Sequence, residues 1–185
     1  MDTEQKEETT EEMQWFVMRD LKRPNALRPA YIELSDAGFE VFTPLRNIVQ
    51  ERNGIRKRAR VPFISDLLFV HSTRSALDPV VNATPTLQYR FARGAAANTP
   101  MVVRTSDMTR FICAVNTVEN PLFYTIDEIS PKMLQRHIRI VGGQLDGYEG
   151  ILLTVRGSKK KRLLVEIPGF IAAAIEVEPQ FIQLV

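Results

Sequence analysis

Ten residues, Val61-Pro62-Phe63-Ile64-Ser65-Asp66-Leu67-Leu68-Phe69-Val70, constrain this chain more than any other stretch. The run is apolar and carries β-branched and aromatic side chains, so it reads as a strand. Successive side chains of a strand point to opposite faces. Leu67 and Phe69 therefore share one face, and Leu68 and Val70 the other. Both faces are apolar, so each needs a cover. Helices of the chain can supply one. The second face is either closed by the chain itself, the more ordinary outcome, or left for another molecule.

The 185 residues leave room for one large or two small domains. Lys and Arg number 24 against 22 Asp and Glu, a net charge of +2, so total charge singles out no partner and only its distribution can. A single cysteine, Cys113, excludes an intrachain disulfide and fits a reducing compartment. It lies in an apolar run and reads as a small buried side chain. No apolar run is long enough to span a bilayer, and the acidic, polar start is the opposite of a secretion signal. These features predict a cytoplasmic protein with no membrane partner. The histidines are His71 and His137 alone, and there is no HExxH, P-loop or cysteine-pair spacing. Asp127, Glu128 and Asp146 read as solvent-facing. No catalytic residue, metal site or cofactor is therefore expected, and an enzyme is disfavoured.

Residues 1–12, rich in Glu and Thr, read as a disordered acidic tail. Trp15 to Arg19 reads as a strand. A helix is expected from Ala26 to Ala37, with Leu27, Ala30, Tyr31 and Leu34 as its buried stripe and Gly38 as its stop. Phe39 to Val49 reads as a second strand. Asn53-Gly54 signals a hairpin turn, followed by the basic arm Arg56-Lys57-Arg58 and Arg60. Two readings of the arm stand level: contact with phosphates, or a solvated tip whose charge prevents aggregation. Ser75 to Val81 reads as a short helix and Leu87 to Phe91 as a strand. Gly94 to Pro100 reads as a loop of small residues. A further helix, capped by Thr105 or Ser106, carries Met108, Phe111, Ile112 and Val115 on one side. Asn120 to Ser130 reads as a linker. From Ile138 onward, short strands alternate with glycine-containing and charged turns, the pattern of a small barrel.

Val141-Gly142-Gly143-Gln144-Leu145-Asp146-Gly147-Tyr148-Glu149-Gly150-Ile151, with Ile138-Arg139-Ile140 before it, resembles a KOW motif. Gly143, Gly147 and Gly150 are its glycines. Trp15-Phe16-Val17, followed by a helix, a strand, a basic hairpin and Leu67-Leu68-Phe69-Val70, resembles the NGN domain of NusG-type transcription elongation factors. Within that family the likeness is to specialised paralogues regulating surface-polysaccharide operons. The resemblance implies an α+β chain. An NGN domain at 13–119, with an antiparallel sheet flanked by helices, is followed by a linker at 120–130 and an all-β, SH3-like KOW barrel at 131–185. One departure is clear. The family usually has Phe-Pro-Gly-Tyr before Leu-Phe-Val, and here Ile64-Ser65-Asp66-Leu67 stands there, so Leu67 replaces the aromatic residue. Arg19 likewise falls where some paralogues have an aromatic residue.

By this resemblance the chain is a transcription antitermination or elongation factor, specific to certain operons, that suppresses pausing and termination. The clamp helices of the RNA polymerase largest subunit would be gripped by Leu67, Phe69, Met108 and Phe111, with Arg19 nearby. Non-template DNA or nascent RNA would meet Lys22, Arg23, Arg28, Asn82, Thr84 and Arg90. The KOW barrel would recruit a ribosomal protein or a termination factor. Its β-branched residues and glycines disfavour helix, which predicts a constitutive barrel. Truncating both Leu67 and Phe69 to alanine is expected to leave the fold intact and abolish polymerase binding. The alternative is a ribosome-associated or RNA-binding KOW protein, with Lys159 to Arg162 carrying the affinity.

Overall fold

The computed structural model describes residues 11–23, 26–52, 54–91 and 99–185. The first ten residues of the acidic tail, Pro24-Asn25, Asn53 of the hairpin turn and most of the loop before Met101 lie outside that set. In chain order the first elements are β1 (Gln14–Asp20), α1 (Ala30–Asp36), β2 (Glu40–Phe42), β3 (Leu45–Arg52) and β4 (Ile55–Pro62). Then come β5 (Leu67–Ser72), α2 (Arg74–Ala83), β6 (Leu87–Tyr89), β7 (Val102–Val103) and α3 (Thr105–Asn116). The chain ends in β8 (Leu122–Thr125), β9 (Leu134–Ile140), β10 (Glu149–Leu153), β11 (Arg162–Ile167), β12 (Ile171–Glu176) and β13 (Ile182–Leu184). These elements form two compact units. One combines the chain up to Phe42 with Asp66–Val102, and the other combines Thr43–Ser65 with Val103–Val185.

In the first unit the strands run in the order β2-β5-β1-β6, all antiparallel. Strand β5 is central, with Phe69 opposite Val17 on one side and Phe42 on the other. Leu68 and Val70 join Phe16, Met18, Ala30, Leu34 and Leu77 in one buried cluster, the face that α1 and α2 cover. Helix α1 is shorter than expected. Leu27 is 100% exposed and contributes nothing to a buried stripe, while Ala30 and Leu34 are buried. The cause is local. Pro29 at the N-cap offers no side-chain acceptor, and the buried carboxylate of Asp20 accepts the Ala30 N–H (2.6 Å) instead. A free N–H at a helix start needs such an acceptor, so the helix begins where Asp20 reaches it.

The opening run is not one strand. Pro62 ends β4 because it has no N–H to continue a ladder. Phe63 turns back to donate its N–H to the Pro44 carbonyl (2.8 Å), and β5 begins only at Leu67. Phe39 to Val49 is likewise split, into β2 and β3.

In the second unit β3 and β4 form a two-stranded ribbon. A six-stranded antiparallel sheet follows, ordered β13-β9-β10-β11-β12-β8. The stretch 120–130, expected as a linker, carries β8, in which Leu122, Phe123, Tyr124 and Thr125 pair with Ala174, Ala173, Ala172 and Ile171. Four residues behind a proline are too few to display a clear period of two, so the sequence carries no local sign of the strand. Glu128 then accepts the Thr125 N–H (2.7 Å) in a single 3₁₀ turn. After Pro131 the described chain is strand, turn and short 3₁₀ segments, without an α-helix.

The glycines of the 141–151 stretch have separable duties. Gly143 and Gly147 hold φ of +72° and +76° in a turn where Asp146 accepts the Gly142 N–H (2.6 Å). Gly150 instead permits close packing, because a Cβ there would lie 2.8 Å from both the Leu164 carbonyl oxygen and Leu163 Cδ1. Gly150→Ala should therefore destabilise the sheet by about 1–3 kcal/mol, read as a lower urea midpoint at unchanged slope. A midpoint equal to the parent's would show that β11 yields without strain.

Candidate functional site

Alternation along β5 separates its apolar residues as expected: Leu68 and Val70 enter the helix-covered cluster, and Leu67 and Phe69 do not. Both of the latter are nonetheless buried, Leu67 at 3% and Phe69 at 0% exposure. The Phe42 and Phe69 rings lie 6.3 Å apart. At the entrance to β5, Asp66 gathers two arginines. Arg19 Nε donates to its carboxylate at 3.0 Å and Arg90 at 3.1 Å. Arg90 Nε is buried without a partner among the described residues. In the sequence Asp66 is a lone aspartate in an apolar run, which gives no sign of its two partners.

The second set of expected residues is on α3. Met108 and Phe111 are both 0% exposed, and Ala114 and Val115 complete the buried stripe. The helix packs over β11 and β12. Pairing places Leu163 opposite Ile175, Val165 opposite Ala173 and Ile167 opposite Ile171. Their common face is therefore apolar, and it is opposite the face on which Leu164, Ala172 and Ala174 form their own cluster. Phe123, which pairs with Ala173, brings its ring to 6.4 Å from Phe111. Polar contacts hold the other flank of the helix. The Tyr148 hydroxyl donates to the Arg110 carbonyl (3.1 Å), the Arg110 guanidinium lies 5.2 Å above the Tyr148 ring, and Arg110 also bonds the Glu149 carbonyl. Burial, with Cys113 nearby, raises the Tyr148 phenol above its ordinary pKa. Cys113 itself is exposed, contrary to its sequence reading. It is on the helix side away from Met108 and Phe111, which a count of apolar neighbours does not reveal. Nor do Thr105 or Ser106 cap the helix: Arg104 occupies the N-cap, with no side-chain bond.

The six candidate nucleic-acid residues divide. Lys22 pairs with Glu33 and donates to the Arg28 carbonyl (3.0 Å), while Arg28 pairs with Asp36. Arg90 is engaged with Asp66. Arg23 is exposed, as is Asn82 near the end of α2, and Thr84 follows at the helix C-cap. Leu21 donates to the Thr86 carbonyl (2.8 Å), so the chain leaving β1 runs beside the turn that contains Thr84. Close by, Asp78 accepts from Arg74 (2.9 Å) and from the Tyr89 hydroxyl (2.7 Å). Burial, reinforced by that bond, pushes the Tyr89 phenol far up. For Asp78, burial acts upward but the bonds from Arg74 and Tyr89 outweigh it, leaving the carboxyl below its usual range.

The described residues hold no His, Cys, Asp and Glu grouping suited to a metal ion, and none of their helices is long and apolar enough to cross a membrane. Residues 13–112, more than half of the chain, match a protein-family model described as NusG, transcription termination factor nusG. No curated protein matches the sequence.

Proposed function

The chain belongs to the NusG family of non-enzymatic transcription termination and antitermination factors, whose members bind RNA polymerase, and from that premise we propose that it is an operon-specific antiterminator gripping the polymerase clamp helices. The contacts proposed are Leu67 and Phe69 on β5, with Arg19 beside them, and Met108 and Phe111 on α3. The observation that carries this reading is the buried stripe of α3, whose Met108 and Phe111 belong to the family-matched segment and rest on a sheet outside it. All four apolar side chains are covered in the free chain. Binding therefore requires them to be uncovered, and the C-terminal sheet competes with polymerase for α3. Burying side chains of this size contributes on the order of 1.5–3 kcal/mol each before the costs of association.

The C-terminal sheet is proposed to be a KOW domain that, once released, recruits a ribosomal protein or termination factor. Its turn at Gly143 and Gly147 and the close approach at Gly150 support that assignment. Exposed Arg23, with Arg28, Asn82 and Thr84, is proposed to contact non-template DNA or nascent RNA. Lys22 and Arg90, held by Glu33 and Asp66 and far less exposed than Arg28 in its pair with Asp36, contribute less. Arg23→Ala with Arg28→Ala should weaken recruitment to the target operon and reduce its salt dependence by one to two phosphate contacts, a slope change of about 1–2. Recruitment in vitro that is indifferent to this pair would leave both as a solvated surface. The function as a whole is tested by equilibrium binding of the full chain to purified polymerase and by readthrough at a terminator. A chain that neither binds nor alters readthrough is not this factor.

A further inference from the structure

The β3–β4 ribbon carries charge out of proportion to the chain. Residues 45–62 hold six basic side chains against one acidic, a net +5 where the whole protein is +2, so the remaining residues are net −3. Cross-strand pairing sorts these charges. Arg56 is opposite Glu51, Arg58 opposite Val49 and Arg60 opposite Asn47, so the three arginines share one face. Strand geometry spaces them by about 6.8 Å each, twice the 3.4 Å rise per phosphate of one DNA strand. All three are exposed. Arg56 pairs with Glu51 at 3.0 Å but keeps 78% of its side chain in solvent, and Arg58 and Arg60 have no ion pair among the described residues. Lys57 points to the other face, and Arg46, also on that face, is drawn over the Phe63 ring at 5.6 Å. The base of the ribbon is anchored, with Phe63 5.6 Å from Phe123 and Asn47 bonded to Asn120.

We propose that Arg56, Arg58 and Arg60 form a binding site for the phosphodiester backbone of a nucleic acid, separate from the surface around Arg23. A solubilising tip needs charge of any kind in any arrangement. Here guanidinium groups, which match phosphate geometry in a bidentate manner, are aligned on one face at a spacing commensurate with phosphates. The contact is to the backbone and carries no sequence preference of its own.

The test is fluorescence anisotropy of the full chain with a labelled 20-base-pair DNA duplex, the corresponding single-stranded DNA and the same sequence as RNA, each across a salt series. The variant is Arg56→Gln/Arg58→Gln/Arg60→Gln, whose exposed positions leave the packing untouched. A matched control, Lys159→Gln/Lys160→Gln/Lys161→Gln, removes equal charge from the 157–162 turn. The first variant should lose about tenfold or more in affinity at 50 mM salt for the preferred nucleic acid. Its log–log salt slope should fall by roughly 2–3, the value for three phosphate contacts. The three ligands distinguish duplex DNA, single-stranded DNA and RNA as the source of the backbone. The proposal is overturned if the chain binds none of the three. It is equally overturned if the arginine variant keeps the parental slope, or if the lysine control lowers affinity and slope just as much.

Discussion

Phe123→Ala should raise the affinity of this NusG-family chain for RNA polymerase, and Phe111→Ala should not. The two rings lie 6.4 Å apart across the contact between α3 and the C-terminal sheet. Phe111 belongs to the surface proposed to meet polymerase, and Phe123 belongs to the sheet that covers it, where its ring also meets Phe63. An aromatic pair contributes about 0.5–1.5 kcal/mol beyond its area, and Phe123 is itself buried, so its truncation should weaken the docking of α3 by about 2 kcal/mol. When only the undocked fraction binds, apparent affinity scales with that fraction, and 2 kcal/mol corresponds to roughly a thirtyfold gain. Phe111→Ala loosens the same docking but deletes a contact to polymerase, so the gain does not appear. Titrating each variant against core polymerase separates the effects. Unaltered affinity for Phe123→Ala would mean that the sheet and polymerase do not compete. A gain for Phe111→Ala equal to that for Phe123→Ala would remove α3 from the interface.

The double substitution Leu67→Ala/Phe69→Ala should unfold the chain rather than merely silence it. At 3% and 0% exposure both side chains are core in the free protein, and Phe69 is in a strand paired on both edges. Truncations of this kind cost about 2–5 kcal/mol each. Their sum, roughly 4–10 kcal/mol, is comparable to the total stability of an ordinary domain, about 5–15 kcal/mol. The sequence-based expectation that this variant stays folded is revised accordingly. Urea denaturation followed through buried Trp15 provides the measurement. A midpoint within experimental error of the parent would show that neither side chain supports the fold. Polymerase contacts are better probed with Leu67→Met and Phe69→Leu, because swaps that nearly conserve volume usually cost less than about 1.5 kcal/mol.

Period-two alternation separated Leu68 and Val70 from Leu67 and Phe69 because strand geometry leaves no other arrangement. The glycines between Val141 and Ile151 announced their turn, since positive φ and close approach both select against a Cβ. Other features could not be seen in advance. Asp20 starts α1 from ten residues away, and Asp66 joins Arg19 to Arg90 across 47 and 24 residues. Such partners come together only when the chain folds, so no local window contains them. The same is true of β8, whose four residues are a strand because β12 presents an open edge to them.

What the sequence determined by itself was which side chains share a surface: the two sides of β5 and most of the stripe of α3. A repeat along the chain is enough for that, because backbone geometry converts spacing into direction. What covers each surface was decided by tertiary structure alone. The stripe of α3 is equally apolar against solvent, polymerase or its own C-terminal sheet, and burial is favourable with any partner that fits. Only the folded chain shows that the sheet covers it.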